Sequence, residues 1–483
     1  MISDRAGSAR EARGDGRHGT RGGLQMRRQP AGHGAATAVA LRAPALAILL
    51  LAAAALGAGE PRVADPAAAA LASCRRADGT LARYLLCLEL EARRPASSHA
   101  GYYAELEQLE DGILRRLPRR PASTGVRALL PRLHHAGAPA TRYQVALTLA
   151  DALDARRSDR EPRLAADCDL FSFLNAGVGE RYYGAAAADH GVGAVRIRHD
   201  HVVTAAVEQG RVTAVLETAD GSTSGAPWPG DPAGLRPMSE REVVALYLAN
   251  VGLALEIEGR TEDALAFFDR SLSFNPAEFV AHLGRGVALL RSAGEGDRSA
   301  SCAAADGRLS AAEQAARTAL EIAPEADSPY GLLGRIKLRG CAPASAEQFL
   351  EQALSRRQDP VHHYYLTLAL EEQRKFERAI ETARRGKRLL GKEDPSRYRA
   401  LRLELDYLLA VAHTFRAETL SSESDLQKAM RHLSSIRGLR PADGSEQRLE
   451  AWIDRVDRRI GPVRREFGIP HATPRTVDAS LSE

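Results

Sequence analysis

Through most of the chain apolar residues recur every three or four positions, the spacing of a helix with one buried face. Tyr103, Leu106, Leu109, Ile113 and Leu117 form such a stripe, and the run Pro118-Arg119-Arg120-Pro121 ends it, since proline removes a backbone donor and restricts its predecessor. Residues 60–135 therefore read as helices, with a further amphipathic run from Tyr143 to Leu153. The period then changes. CDLFSFLNAGVG opens a helix at Cys168, and a second, alanine-rich helix is expected around Arg181 to His190. Val192 to Ile197 alternates as a strand and leads into RHDHVVTAAVEQGRVTAVLETADG, two β-branched segments on either side of a Glu-Gln-Gly tip, the pattern of a hairpin. Pro227, Pro229, Pro232 and Pro237 follow as a linker.

From Ser239 onward the helical pattern repeats. Leu248, Gly252, Leu255, Ala264, Phe268 and Pro276 return as Tyr330, Leu333, Gly334, Ala346, Leu350 and Ala353, then more weakly as Leu366, Leu370, Ala379 and Ala383. Small residues are needed where the two helices of a unit touch, and large ones fill the gap to the next unit. This spacing resembles the thirty-four-residue tetratricopeptide (TPR) family over Glu240 to Pro441. One copy, framed by Gly286, Ala312, Ala316, Ala319 and Pro324, carries about fourteen extra residues that include Cys302. A degenerate fifth copy spans Tyr407 to Pro441, and Glu446 to Arg459 reads as the polar helix that closes such an array. The fold class is thus mainly α: a small α+β unit followed by an α-solenoid of helix pairs.

Composition agrees with a folded chain, 44% apolar and 27% charged over 483 residues. The formal charge of +4 arises in residues 1–42, which hold eight arginines against three acidic residues; the rest has 58 basic and 59 acidic side chains. No basic stripe points to nucleic acid. Ala43 to Gly59 is free of charge, short for a spanning helix and suited to the apolar core of a secretory signal, with Met26-Arg27-Arg28 as its basic region. A cleaved signal, an uncleaved amino-terminal membrane anchor and a buried helix are the three readings of this stretch. Leu71-Ala72-Ser73-Cys74 has the form of a lipoprotein box, but Arg62 and Asp65 separate it from the apolar core. Five cysteines divide naturally, in an oxidising compartment, into Cys74 with Cys87, Cys302 with Cys341, and Cys168 left over. Five free thiols in a reducing compartment is the alternative.

Cys168 at a helix start has its thiolate favoured by the unpaired N–H groups there. With Glu208-Gln209-Gly210 as a three-residue loop and Gly210 at positive φ, facing positions sum to 418, so His201 lies opposite Glu217. That is the arrangement of a base and the acid that orients it. His199 reads as a solvated edge residue, and Asp220 as the fallback acid. His199, Asp200 and His201 offer only two ligands on one strand face, so neither a metal nor any other cofactor is expected.

The order Cys168, His201, Glu217 resembles the cysteine-histidine-acid core of transglutaminase-like domains with a papain-like fold, in the bacterial branch fused to TPRs. ADCDLFSFL, HGVGAVRI, DHVVTAAV and LETADG carry the resemblance, over about Ala100 to Asp231. It implies that Cys168 is a nucleophile, His201 its base and Glu217 the orienting acid. Asp167 and Asp169 oppose a lowered thiol pKa by charge repulsion, the mark of a domain that has lost catalysis. The expected organisation is an Arg-rich leader with signal or anchor (1–59), helices plus the transglutaminase-like unit (60–231), the TPR array (240–441), and a closing helix with tail (442–483). The expected function is an exported scaffold, periplasmic or anchored facing the periplasm, that binds a protein or peptide on the concave face of the array. An active thiol protease, amidase or transglutaminase is the alternative.

Overall fold

A computed structural model describes residues 66–76, 79–117, 126–137, 141–143, 148–158, 164–166, 168–183, 190–199, 201–216, 235–294, 307–391, 399–437 and 446–467. The apolar stretch Ala43 to Gly59, and with it the signal or anchor, lies outside the described residues, as do Asp167, Glu217 and Cys302. Among the described residues no helix is long and apolar enough to cross a membrane.

The amino-terminal part consists of helices α1 (Pro66–Ser73), α2 (Leu81–Arg93), α3 (Ala96–Leu114), α4 (Val126–Gly137) and α5 (Leu149–Ser158). Thr80 caps α2 by accepting from the Arg83 amide at 3.2 Å, and the Cys74–Cys87 disulfide ties α2 back to the end of α1. Leu106, Leu109 and Ile113 of α3 are buried as their spacing requires; Tyr102, rather than Tyr103, completes the buried face. Tyr143 does not open the following helix. It ends a short strand, β1 (Thr141–Tyr143), which pairs in parallel with β2 (Leu164–Ala166).

Cys168 does begin a helix, α6 (Cys168–Tyr183). The second helix expected from Arg181 is not formed in the described part: Arg181 to Tyr183 prolong α6, and His190 already lies in β3 (His190–Arg198). With β4 (His201–Glu208) and β5 (Arg211–Leu216), β3 makes an antiparallel sheet in the order β3-β4-β5. The hairpin tip differs from expectation. Gly210 has positive φ (73°), but so does Gln209 (50°), giving a two-residue turn of the type whose twist matches the strands. Glu208 therefore faces Arg211, and a bulge between Ala206 and Val207 moves the register once more, so that Thr204 faces Leu216. Facing positions sum to 419 and then 420, not 418. Each slip turns side chains to the other face, and the two together restore the original parity.

The second half stacks helix pairs: α7 (Glu240–Ile257) with α8 (Thr261–Phe274), α9 (Phe279–Ser292) with α10 (Gly307–Ile322), α11 (Asp327–Arg339) with α12 (Pro343–Arg356), α13 (Pro360–Glu372) with α14 (Phe376–Leu390), and α15 (Arg399–Leu420) with α16 (Glu423–Arg437). A last helix, α17 (Glu446–Glu466), packs on α15 and α16 through Val456, Ile460 and Val463. A capping box at Ser239 and Glu242 starts the array. The repeat residues do what their spacing requires. A Cβ on Gly252 would lie 2.7 Å from the Phe268 ring, and one on Gly334 would lie 2.5 Å from Leu350, so only glycine lets these large side chains in. This is the packing of a stack of helix pairs, and the mainly α fold class with a small sheet is the observed one.

The first helix of the array is covered by the amino-terminal part. Tyr247 is fully buried on α7, donates to Glu89 Oε2 at 2.7 Å, accepts from the Leu149 amide at 3.0 Å and meets Phe173 edge-on. Glu89, also fully buried, accepts from Arg93 at 2.5 Å and from the Ala150 amide at 2.9 Å. Arg93 reaches on to Thr148, Asp151 and Glu258. One carboxylate and one guanidinium thus join α2, α5 and α7.

At the other end, polar side chains are buried between repeats. Arg384 donates to His413 Nε2 at 3.2 Å, which leaves the ring proton on Nδ1, bonded to Asp425 at 3.0 Å. Burial pushes the His413 pKa down to about 4 although Asp425 opposes it, and burial with Arg385 does the same for His363. Burial would raise Asp425, but the bond from Arg416 prevails and holds it at about 2.

Candidate functional site

The sheet presents two faces, and the apolar clusters separate them. Val202 and Ala206 pack into the core with Leu170, Phe173 and Leu174 of α6, while Val203 and Ala205 belong to a separate cluster with Val195, Val212 and Val215. Between α6 and β4 runs a polar ladder: Asn175 donates to Thr204 Oγ1 at 3.0 Å, Thr204 to Ser172 Oγ at 3.4 Å, and Ser172 to the Cys168 carbonyl at 2.8 Å. Thr204 therefore points at the helix that Cys168 heads. Strand alternation groups His201 with Val203 and Ala205 instead. His201 is buried at 8% exposure. Glu217 follows Leu216, the last residue of β5, and lies outside the described residues.

The surroundings of Cys168 are polar and belong to a joint. Its sulfur donates to Asp169 Oδ1 at 3.5 Å. Asp169 keeps part of its surface accessible, but burial of its carboxyl drives the pKa upward, with Glu278 adding to the rise; Cys168, Arg196 and Asn250 work against it. Arg196 in turn grips Glu278 with two bonds, at 3.0 and 2.7 Å, and donates to the His199 carbonyl at 3.3 Å. Glu278 is fully buried and caps α9 through the Val280 amide. The site expected to be a catalytic cleft is thus also where the sheet, α7 and α9 meet.

His199 is not a solvated edge residue. Its ring lies against Phe279 with centroids 4.6 Å apart, its Nδ1 is 3.1 Å from Glu325, and its side chain is only 15% exposed. Sequence reading passed over Arg196, Asn250 and Glu278. A lone arginine inside the apolar strand VGAVRI and a lone asparagine inside VVALYLANVGLAL were the visible signals, because a polar residue placed in a buried pattern needs a partner.

The cysteines fall as their spacing suggested. Cys74 and Cys87 are joined with Cα atoms 5.8 Å apart, and Cys341 is also in a disulfide. Cys168 is the free cysteine among the described residues. No cluster of three or more metal-ligating side chains occurs among the described residues.

No protein-family model matches the chain, and no curated protein matches it. Among solved structures it is similar to YrrB, a TPR protein with an unusual peptide-binding site, at 17% identity and a TM-score of 0.29, over 39% of this chain and 86% of that one. It is similar to a thermophilic TPR protein of Thermus thermophilus at 16% identity and a TM-score of 0.33, over 44% of this chain and 98% of the other. For PilF of Pseudomonas aeruginosa the figures are 17% identity, a TM-score of 0.26, and 44% and 99% coverage.

Proposed function

We propose that this chain is an exported scaffold whose TPR array takes a protein or peptide ligand on its concave face, and that its transglutaminase-like unit caps the array and no longer catalyses. The observation that carries this is the environment of Cys168. A carboxyl group sits against the sulfur and accepts a hydrogen bond from it, and the negative charge of the ionised carboxylate works against formation of a thiolate. The same carboxyl is enclosed with Arg196, Glu278 and Asn250, which fasten the sheet to the array. Alternation along β4 also groups His201 away from Thr204, the residue that meets the cysteine-bearing helix.

Export, with Ala43 to Gly59 as signal or membrane anchor, is supported by the Cys74–Cys87 disulfide, since such bonds persist in oxidising compartments. The second reading keeps an active thiol enzyme with Cys168 as nucleophile, His201 as base and Glu217 as orienting acid. In its favour, Cys168 does head a helix of sixteen residues. Alkylation by iodoacetamide at pH 7, followed by mass spectrometry of the Cys168 peptide, separates the two. A rate at or below that of a small free thiol is expected. Modification more than roughly tenfold faster would establish an activated thiolate and overturn the scaffold reading.

A further inference from the structure

A cleft of about 510 Å³ opens between α2, α3 and the end of α6, remote in sequence from the repeats. Its volume is within the range of small-molecule sites. The inner carboxylates already have partners. Glu110 is buried, accepting from Thr80 at 3.1 Å and from Arg181 at 3.1 Å. Glu180 accepts from the Leu81 amide at 2.8 Å and pairs with Arg76. Arg181 also pairs with Asp111.

Two charges at the cleft are not matched. Among the described residues Arg83 has no carboxylate partner; its guanidinium is laid over the Tyr103 ring, 4.3 Å from the centroid. Glu107 is exposed on α3, one turn on from Tyr103, and has no cationic partner among the described residues. Stacking on Tyr103 holds the Arg83 guanidinium at the cleft wall, and a guanidinium fork binds a carboxylate through two parallel bonds. The floor holds three carboxylates, Glu110, Asp111 and Glu180, against the two guanidiniums of Arg76 and Arg181, so an ammonium group is favoured there, while Arg83 offers a place for a carboxylate.

We infer that this cleft is a binding site for a small zwitterion, an amino acid or short peptide whose carboxylate meets Arg83 and whose ammonium meets Glu107, with an apolar side chain against the Tyr103 ring. The loop before α2 that supplies Gly79 and Thr80 is anchored by the Cys74–Cys87 disulfide, so the cleft is tied to the oxidised chain.

The test uses the full chain in its oxidised form and titration calorimetry with L-leucine, L-leucylglycine, N-acetyl-leucine and leucine amide. Binding of the first two is expected, with the acetylated and amidated probes weaker by roughly tenfold or more, since each loses one charge-assisted contact. Arg83→Gln should abolish the discrimination against the amide and Glu107→Gln that against the acetylated probe. Both side chains lie at the cleft surface, so circular dichroism of the variants should match the parent. No heat with either zwitterion, equal binding of all four probes, or unchanged binding in both variants would each overturn the assignment. None of these results bears on the reactivity of Cys168, so the scaffold reading stands or falls separately.

Discussion

The joint between the amino-terminal helices and the array is built differently from the joints within the array. At the first, Glu89, Arg93, Tyr247 and Asp151 lock three helices by directional bonds between largely buried charges. At the others, glycine faces a bulky apolar side chain, as with Gly252 and Phe268 or Gly334 and Leu350. Apolar packing is non-directional and accepts many sequences of similar volume, which is how a repeat can recur with drift. A buried ion network accepts few. It fixes one orientation, and its value falls sharply when any partner is lost.

That contrast can be broken most directly at Glu89. Glu89→Ala leaves Tyr247 buried without its acceptor and takes one of three carboxylates from Arg93, and a loss of about 2–4 kcal/mol is expected in urea unfolding, with the amino-terminal helices melting before the repeats. If the mutant unfolds in one transition at the parental midpoint, the joint contributes nothing and the comparison fails. A second test uses pH, because the carboxyl-terminal repeats also bury ionisable groups. His363 and His413 have folded pKa values depressed to about 4 from 6.5, so their neutral forms stabilise the fold above pH 6.5 and that stability is lost as pH falls towards 4. At pH 5 each histidine should cost up to about 2 kcal/mol relative to pH 7. Asp425, held at about 2, stays ionised throughout this window and does not contribute. Chemical denaturation at the two pH values, repeated on His413→Gln, measures the share of one residue; an unchanged pH dependence in that variant would refute the assignment. The smallest effect is expected within the repeats. Gly334→Ala gains helix propensity but drives a methyl to 2.5 Å from Leu350, for a net loss of about 1–2 kcal/mol in thermal unfolding. A stabilised variant would show that the helices can move apart there at little cost.

The parts of the fold that follow from local periodicity were legible in the sequence. The helix pairs, the start of α6 at Cys168 and the strands β3 to β5 follow from spacing and residue type alone. The Cys74–Cys87 bridge followed from proximity in the chain. What escaped depended on distant partners or on one residue's backbone. Nothing near Glu89 announces that Tyr247 will reach it, and a lone glutamate on a helix normally faces water. The hairpin register turned on Gln209 adopting positive φ, a conformation that side-chain-bearing residues seldom take, and on a bulge with no residue signature of its own. Tyr143 read as helical because Val145, Leu147, Leu149 and Leu153 after it suited either period. At the candidate site, the cysteine was placed on its helix correctly, whereas His199 was assigned to solvent because Phe279 lies eighty residues away in the chain.

The Glu89–Tyr247 bond has a consequence for synthesis. The two residues are 158 positions apart, so a ribosome working at about 5–20 residues per second leaves Glu89 without its phenol for roughly ten to thirty seconds. Over that interval α2 and α5 are made and free to pair, yet the surface meant for α7 remains open to water. A chain cut before the first repeat would leave Glu89 with Arg93 and the Ala150 amide but without Tyr247, and would expose the apolar face that meets α7.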